Sequence, residues 1–253
     1  MRIVIINQHP SDTIGGSEIQ CDIIAKKLTG FGHAVIYLAI KGKGGYKTSY
    51  TTIPVEYNGK KIADAVIKIK PDIVYWRYNT NVFFSSAKRI KSNGIPIVFA
   101  VSHARDTVKW KKPSWKLLKK LAIKSFAYNL KMVLDQRWNY QGYKYVDGVT
   151  VNNTDLINKI AVKKQAYIPN SNIKEAAAFS WKKPYVCWVA NIKKRKQPEI
   201  VIDLAKELAQ LGVDVLMAGK IQDQTYSYFK SSGTGNVSPK ILSFKSLLIN
   251  RTK

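Results

Sequence analysis

Two adjacent glycines, Gly15 and Gly16, separate the apolar run 3–6 from a segment of helical period that begins at Ser17. Adjacent glycines let the backbone turn tightly and approach a ligand closely. The N-terminus of a helix adds free N–H groups and a partial positive charge. The pattern therefore predicts a diphosphate-binding site, and a tight turn without a ligand is the alternative.

A histidine follows a second apolar run, 95–101, in the segment Ser102-His103-Ala104-Arg105-Asp106. That run has strand length, and ligands of open parallel sheets bind at the carboxyl ends of the strands. An imidazole at this position can hydrogen-bond a sugar or a phosphate, or support charge in a transition state. The alternative is a loop histidine with a structural partner. His9 also follows a strand and ranks lower, and His33 is expected to be structural.

Four cations, Lys193, Lys194, Arg195 and Lys196, follow the strand-length run 185–190 and precede a helical segment. Positive charge at this position suits a phosphate leaving group, whose negative charge grows as its bond to a sugar breaks. A solvated loop is the alternative.

Eight lysines and no acidic residue occur between residues 109 and 131. An apolar stripe at helical spacing, from Trp115 to Leu130, predicts a basic amphipathic helix over 114–138. Such a helix can lie on an anionic membrane, gaining about 1 kcal/mol per basic residue near the surface. Equally, the stripe can pack on its own sheet with the lysines solvated. The candidate membrane contacts are Lys112, Trp115, Lys116, Lys119 and Lys120.

The elements that position these residues alternate between strand-length apolar runs and segments of helical period. This alternation predicts repeated βα units and a largely parallel sheet. Strands are predicted at 2–7, 34–39, 72–76, 95–101, 146–151, 185–190 and 213–219. Helices are predicted near 17–28, 60–70, 81–92, 114–138, 154–161, 197–210 and 222–230.

We predict an α/β chain with a complete Rossmann-like domain over 1–168, a linker over 169–184 and a partial second domain over 185–253. Two strands and two helices cannot enclose a core, because much of the apolar face of such a sheet stays wet. The second domain is therefore expected to be truncated or to be completed by a second polypeptide.

The composition is that of an ordinary globular protein, with 253 residues of which 45% are hydrophobic. No run reaches the ~18 to 20 apolar residues that cross a bilayer, and the N-terminus enters a strand directly, so a cytoplasmic location is expected. Cys21 and Cys187 stand among apolar residues and are expected to be buried free thiols. The sequence shows no P-loop, no G-x-S-x-G motif, no metal-spaced His/Cys set and no helix-turn-helix or RNA-binding signature.

The net charge is high, since 42 Lys+Arg stand against 16 Asp+Glu for a formal charge of +26. Such a field favours polyanions, meaning nucleic acid, an anionic membrane face or phosphorylated substrates. A plain solvated surface is the less favoured alternative.

A series of short motifs, spread in order over roughly residues 1–230, resembles the family 4 retaining glycosyltransferases of GT-B fold. They are Gly15-Gly16-Ser17-Glu18 before a helix, Gly32-His33-Ala34-Val35, Ser102-His103 after a strand, Val146-Asp147-Gly148-Val149, Ile168-Pro169-Asn170, Val189-Ala190-Asn191 with Lys196, and Ala218-Gly219.

The resemblance implies two facing Rossmann-like domains, with a nucleotide-activated sugar in the cleft and neither a metal nor another cofactor required. It places Gly15 and Gly16 under the donor diphosphate, His103 near the transferred sugar, and Lys196 on the diphosphate. The family usually has an arginine where this chain has Asn191, so Arg195 or Lys194 is a candidate substitute. The paired glutamates of the family lie further downstream than Lys253.

The resemblance thus implies transfer of a sugar, with retention, from a nucleotide-sugar donor to a glycan or lipid-linked acceptor. The basic helix is consistent with a cytoplasmic protein that is peripheral at the inner face of the membrane. The isolated chain is expected to be weakly active or inactive. The rival hypothesis is a non-enzymatic basic α/β module that binds nucleic acid or anionic membrane, with nucleic acid the less favoured partner.

Overall fold

The computed structural model describes residues 1–78, 80–109, 123–171, 180–219, 221 and 240–242. The chain divides into two compact units, Met1–Ile173 and Lys174–Lys253.

The first unit is built on a sheet of seven parallel strands in the order β3-β2-β1-β4-β5-β6-β7. The strands are β1 Arg2–Asn7, β2 Ala34–Ile40, β3 Thr51–Val55, β4 Ile73–Trp76, β5 Ile97–Val101, β6 Gly148–Val151 and β7 Gln165–Tyr167. The described helices are α1 Gly16–Gly30, α2 Gly59–Ile69, α3 Phe83–Ser92 and α4 Ile123–Gln141, with short 3-10 helices at Ala104–Thr107, Gly142–Tyr145 and Thr154–Leu156.

Both faces of this sheet are covered, which is why its strands are continuous apolar runs. Successive side chains of a strand point to opposite faces. Ile3 and Ile5 of β1 therefore pack with α1 in one buried cluster, whereas Val4 and Ile6 belong to a second cluster that includes residues of α2 and α3.

The strand order reverses direction at β1. The chain moves from β1 to β2 and β3 on one side, and β4 pairs with the opposite edge of β1. Ligands of open α/β sheets bind outside the carboxyl ends of the strands at such a switch point. In this sheet the strand ends at that point carry Asn7 and Arg77.

The second unit contains three parallel strands in the order β10-β9-β8. They are β8 Tyr185–Val189, β9 Asp214–Ala218 and β10 Lys240–Leu242, and the described helices are the 3-10 helix Lys194–Lys196 and α5 Pro198–Gln210. Its buried cluster joins Val201 and Ala205 of α5 to Val215 and Met217 of β9, with Ile192 between the elements.

Among the described residues, the predicted elements are confirmed wherever an apolar run or a strong helical period marks them, whereas residues 114–122 of the helix predicted over 114–138 lie outside the described residues. The helix predicted over 154–161 is wrong, because only the 3-10 turn Thr154–Leu156 forms. Ile157 has an extended backbone and Asn158 a positive φ of 64°, and neither continues a helix. Three strands were missed: β3 and β7 of the first unit, and β10 of the second unit, which has three strands where two were predicted.

Cys21 is buried as predicted, but the prediction for Cys187 is wrong, because this free thiol is exposed. Cys187 lies on β8, an edge strand among the described strands, and pairs in register with Leu216. Cys187 and Leu216 therefore lie on the same face of the sheet. Because successive side chains of a strand alternate, this face is opposite to the one on which Val215 and Met217 contact α5. The helix predicted near 222–230 lies outside the described residues.

Candidate functional site

The turn that the two glycines form leads directly into α1. Gly15 is the N-cap residue, with an extended backbone and no side-chain cap, and its carbonyl accepts the Ile19 N–H at 3.0 Å. Among the described residues, and apart from its chain neighbours and the backbone of α1 itself, no atom lies within 4 Å of the position that a Cβ at Gly16 would take. The helix therefore begins beside open space, with no N-cap side chain bonded to its first N–H groups.

Glu18 occupies the space in front of Gly15. A Cβ added to Gly15 would collide with the Glu18 carboxylate, so this side chain folds back over the N-cap. A carboxylate in the first turn is stabilised by the positive end of the helix. A phosphate bound at Gly15 would have to displace the Glu18 carboxylate, whereas the space at Gly16 is open.

Asn7 and Arg77 lie side by side at the switch point, because Ile6 pairs with Trp76 in register and Arg77 N–H donates to the Ile6 carbonyl at 3.1 Å. Asn7 is fully buried, and its Nδ2 donates to Ser17 Oγ at 3.1 Å and Cys21 Sγ at 3.3 Å of α1. Arg77 is only 8% exposed, and its guanidinium Nη2 donates to Asn170 Oδ1 at 3.0 Å.

The segment after β7 returns across the carboxyl edge of the sheet to reach these residues. Gln20 of α1 holds it through two bonds: Nε2 donates to the Ser171 carbonyl at 2.6 Å, and Oε1 accepts the Ser171 N–H at 2.8 Å. Asn170 is thereby fixed against Arg77. Four polar side chains from separate parts of the first unit thus meet at one place, which we call the switch-point cluster: Asn7, Gln20, Arg77 and Asn170.

His9 is not available for chemistry, because both its ring nitrogens face protein atoms and it is only 2% exposed. Nδ1 accepts the Ser11 N–H at 3.2 Å, so the proton of the neutral ring lies on Nε2, which is 3.2 Å from Tyr50 Oη. Tyr50 in turn donates to Asp22 Oδ1 at 2.6 Å. Burial lowers the pKa of His9, an effect that Asp22 and Asp12 oppose. His9 therefore holds the loop after β1.

His103 lies at the carboxyl end of β5 and is exposed, as the prediction requires. Its Nδ1 accepts the Arg105 N–H at 3.0 Å, and Asp106 Oδ2 accepts the Ser102 and His103 N–H groups at 3.3 and 3.1 Å. This capping box fixes the neutral tautomer that carries its proton on Nε2. Nε2 has no partner among the described residues. His103 can therefore donate a hydrogen bond to a ligand oxygen.

In the second unit, the cations at the end of β8 are exposed as well. Lys194, Arg195 and Lys196 form a 3-10 turn after the buried Ile192, and Gln197, with a positive φ of 50°, leads into α5 at Pro198. The positive end of a helix beside three cations is electrostatically unfavourable unless an anion is bound. Asn191 is exposed at the start of the same loop.

Gly219 lets the carboxyl ends of β8 and β9 approach each other. A Cβ at Gly219 would collide with the Ala190 carbonyl oxygen, which is backbone and cannot rotate away. Directly after these residues, Ile192 and Ile221 form an isolated parallel bridge. The loop that carries Asn191 and the cations is thus held close to the end of β9.

The predicted membrane contacts Lys112, Trp115, Lys116, Lys119 and Lys120 lie outside the described residues, but α4 continues the same basic segment. It exposes Leu130, Leu134 and Trp138 by 37%, 43% and 55%. Beside them is a hollow of about 360 Å³ lined by Phe84, Leu134, Arg137, Trp138, Gln141, Lys144 and Tyr145. We call this hollow and the three exposed side chains the α4 surface.

Within the described ranges, no cluster of three or more His, Cys, Asp or Glu side chains could hold a metal ion. Among the same residues, no helix is long and apolar enough to cross a membrane.

No protein-family model matches the sequence, and no curated protein matches it. Several solved structures do match this chain. An alpha-glucosyltransferase in complex with UDP and a 13-mer DNA containing a HMU base aligns with a TM-score of 0.54 at 15% identity, over 96% of this chain and 66% of that chain. The chain therefore spans just under two thirds of that protein's length.

Two further structures align comparably. UGT2 from Phytolacca americana, complexed with UDP-2fluoro-glucose and pterostilbene, has a TM-score of 0.53 at 11% identity, over 96% of this chain and 70% of that chain. Trehalose-6-phosphate synthase from E. coli, bound with UDP-2-fluoro glucose, has a TM-score of 0.54 at 11% identity, over 98% and 75%. The chain has a GT-B fold. At these identities the similarity establishes the fold alone.

The site residues predicted from sequence fall in both units: Gly15, Gly16 and His103 in the first, and Asn191, Arg195 and Lys196 in the second. In the first unit, sequence reasoning missed Asn7, Gln20 and Arg77. Arg77 carried a usable signal, because it is a charged residue placed directly after a predicted strand. Gln20 carried none, since nothing in the sequence shows that its partner is a backbone 151 residues away.

Proposed function

We propose that the chain binds a nucleotide-activated sugar and serves in the transfer of that sugar to a hydroxyl acceptor. The observation that carries this proposal is the α1 N-terminus at Gly16, which opens on free space at the carboxyl edge of a GT-B sheet. The exposed cations of Lys194–Lys196 beside the N-terminus of α5 support it, because they too favour a phosphate.

In this proposal the backbone N–H groups at Gly16 and the ammonium of Lys196 stabilise the diphosphate as it departs from the sugar. His103 orients the sugar by donating from Nε2, a role that needs no change in its protonation. Arg195 and Asn191 are further donor contacts. The chemistry requires neither a metal nor an organic cofactor. We further propose retention of configuration and a glycan or lipid-linked acceptor, as the family 4 resemblance implies.

A membrane location is proposed on separate grounds. The α4 surface combines exposed apolar side chains with Lys144, and the chain as a whole carries a formal charge of +26. Apolar side chains that insert at an interface and cations that attract anionic headgroups are the combination that peripheral helices use. We propose that α4 lies against an anionic bilayer.

Binding measurements separate glycosyl transfer from a basic module that binds polyanions. Isothermal titration of the purified chain with UDP-glucose should give saturable binding of one ligand that persists at 300 mM salt. A duplex oligonucleotide should bind, if at all, with an affinity that falls steeply with salt. Oligonucleotide binding without any UDP-glucose binding would refute the proposed function.

A further inference from the structure

Arg77 carries a buried charge whose compensation the described residues do not supply. The side chain is 8% exposed, and none of the ion pairs between described residues includes it. Its bond from Nη2 goes to the neutral amide of Asn170. A guanidinium stays charged in proteins, and a buried charge without a counterion is strongly destabilising.

Two polar atoms in the same cluster are buried and have no hydrogen-bond partner. They are Arg77 Nε, a donor, and Asn7 Oδ1, an acceptor. The large majority of buried side-chain polar atoms in folded proteins are paired, so each exception calls for a partner. The two residues extend adjacent strands at the switch point, where ligands of such sheets bind.

The chemistry of the two atoms describes the ligand. A guanidinium edge matches the oxygens of a phosphate or a carboxylate in bidentate geometry. An amide oxygen accepts from a hydroxyl group. The clamp between Gln20 and Ser171 holds Asn170, and Asn170 holds the guanidinium, so the edge is preorganised.

We propose that Arg77 binds the phosphate or carboxylate group of a hydroxylated ligand at the switch point of the first unit, with Asn7 Oδ1 accepting from a neighbouring hydroxyl. This site is additional to the donor contacts at Gly16 and Lys196. It rests on the proposed function only for its role, which is to select an acceptor that carries an anionic group.

The test is an NMR titration of the full chain labelled with ¹⁵N-arginine. Inorganic phosphate should shift the Arg77 Nε–H resonance saturably while leaving that of Arg89, an exposed arginine paired with Asp64, in place. The Arg77 signal is assigned from the Arg77→Lys variant, or from Asn170→Ala if the lysine variant does not fold. Phosphate affinity, measured by titration calorimetry because the lysine variant lacks the Arg77 signal, should fall at least tenfold in Arg77→Lys and stay unchanged in Arg89→Lys.

A second phosphate titration, in the presence of UDP, shows whether the anionic group that binds Arg77 belongs to the donor or to another ligand. If phosphate still shifts Arg77 when the protein is saturated with UDP, the group belongs to a ligand other than the donor. If UDP alone shifts Arg77 and excludes phosphate, the anion is the donor's, and the proposed separate site for an anionic acceptor is overturned.

Parallel shifts of Arg77 and Arg89, or none at Arg77, would overturn the site, because they would show only a general positive field. If the chain binds UDP-glucose but Arg77 shows no specific shift, only the proposed Arg77 site is refuted. If the chain does not bind UDP-glucose but phosphate still shifts the Arg77 resonance, only the proposed function is refuted.

Discussion

Ser171 exchanges both of its backbone hydrogen-bonding groups with the single side chain of Gln20, at 2.6 and 2.8 Å. Through this pair, the segment that leaves the last strand of the first unit is fixed to the helix that follows the first strand. The clamp turns a chain connection into part of the site, because the residue before Ser171 is the partner of Arg77.

Replacing Gln20 by alanine tests how much this clamp stabilises the first unit. Gln20→Ala leaves the Ser171 N–H and carbonyl without their partner in a part-buried place, which costs about 1–3 kcal/mol. Chemical unfolding should show this loss, whereas Gln210→Ala at the exposed end of α5 should change stability by less than about 0.5 kcal/mol. Equal effects of the two variants would show that the clamp contributes nothing.

Burial of His9 makes a prediction about pH. Because its pKa in the folded protein lies below the unfolded value of 6.5, the unfolded state binds the proton first as pH falls. The free energy of unfolding should therefore decrease as pH drops below about 6.5. In His9→Gln this part of the pH dependence should disappear, which urea unfolding at pH 7.5 and 5.5 can measure. An unchanged pH slope in the variant would contradict the assignment.

Gly142 and Gly16 should respond oppositely to a methyl group. A Cβ at Gly142 would lie 2.6 Å from Cδ1 and Cε1 of the fully buried Phe83 ring, so Gly142→Ala should destabilise the fold by about 1–3 kcal/mol. Gly16→Ala meets no atom within 4 Å and should leave the melting temperature unchanged or raised. Thermal unfolding of the two variants checks both signs, and a destabilised Gly16→Ala would refute the open space at α1.

The α4 surface predicts binding to anionic vesicles. Trp138→Gln combined with Leu134→Ser removes two exposed apolar side chains and should weaken sedimentation with phosphatidylserine-containing liposomes several-fold. The control is Phe31→Ser, which removes an aromatic ring that is 74% exposed at the end of α1. If the α4 double variant binds as wild type does, or if Phe31→Ser weakens binding equally, the α4 surface is not the contact.

The strands and helices that the sequence predicted are those whose periodicity is set by burial. β1 and β2 read as apolar runs because both faces of the central sheet are covered. β3 was not predicted because it is a partly exposed edge strand that contains Pro54. β7 was not predicted because its three residues include the polar Gln165. Local pattern carries little signal for strands at the edge of a sheet.

The candidate site divides in a similar way. Gly16 and His103 could be found from sequence because each follows a strand and has a distinctive residue type. The switch-point cluster could not, since Asn7, Arg77 and Asn170 become neighbours only through the strand order and the returning segment. His9 looked equivalent to His103 in sequence, and only the contacts with Ser11 and Tyr50 show that it is structural.

The central claim is that a nucleotide sugar is bound through the α1 N-terminus and through Lys196. The most direct measurement is titration calorimetry of UDP-glucose with wild type, Gly16→Ala, Lys196→Ala and the control Lys68→Ala, in which an exposed lysine of α2 is removed. We predict that the first two variants each lose at least tenfold in affinity, about 1.4 kcal/mol, while Lys68→Ala binds as wild type. Equal affinity in all four proteins, or equal losses in the two lysine variants, would contradict the account.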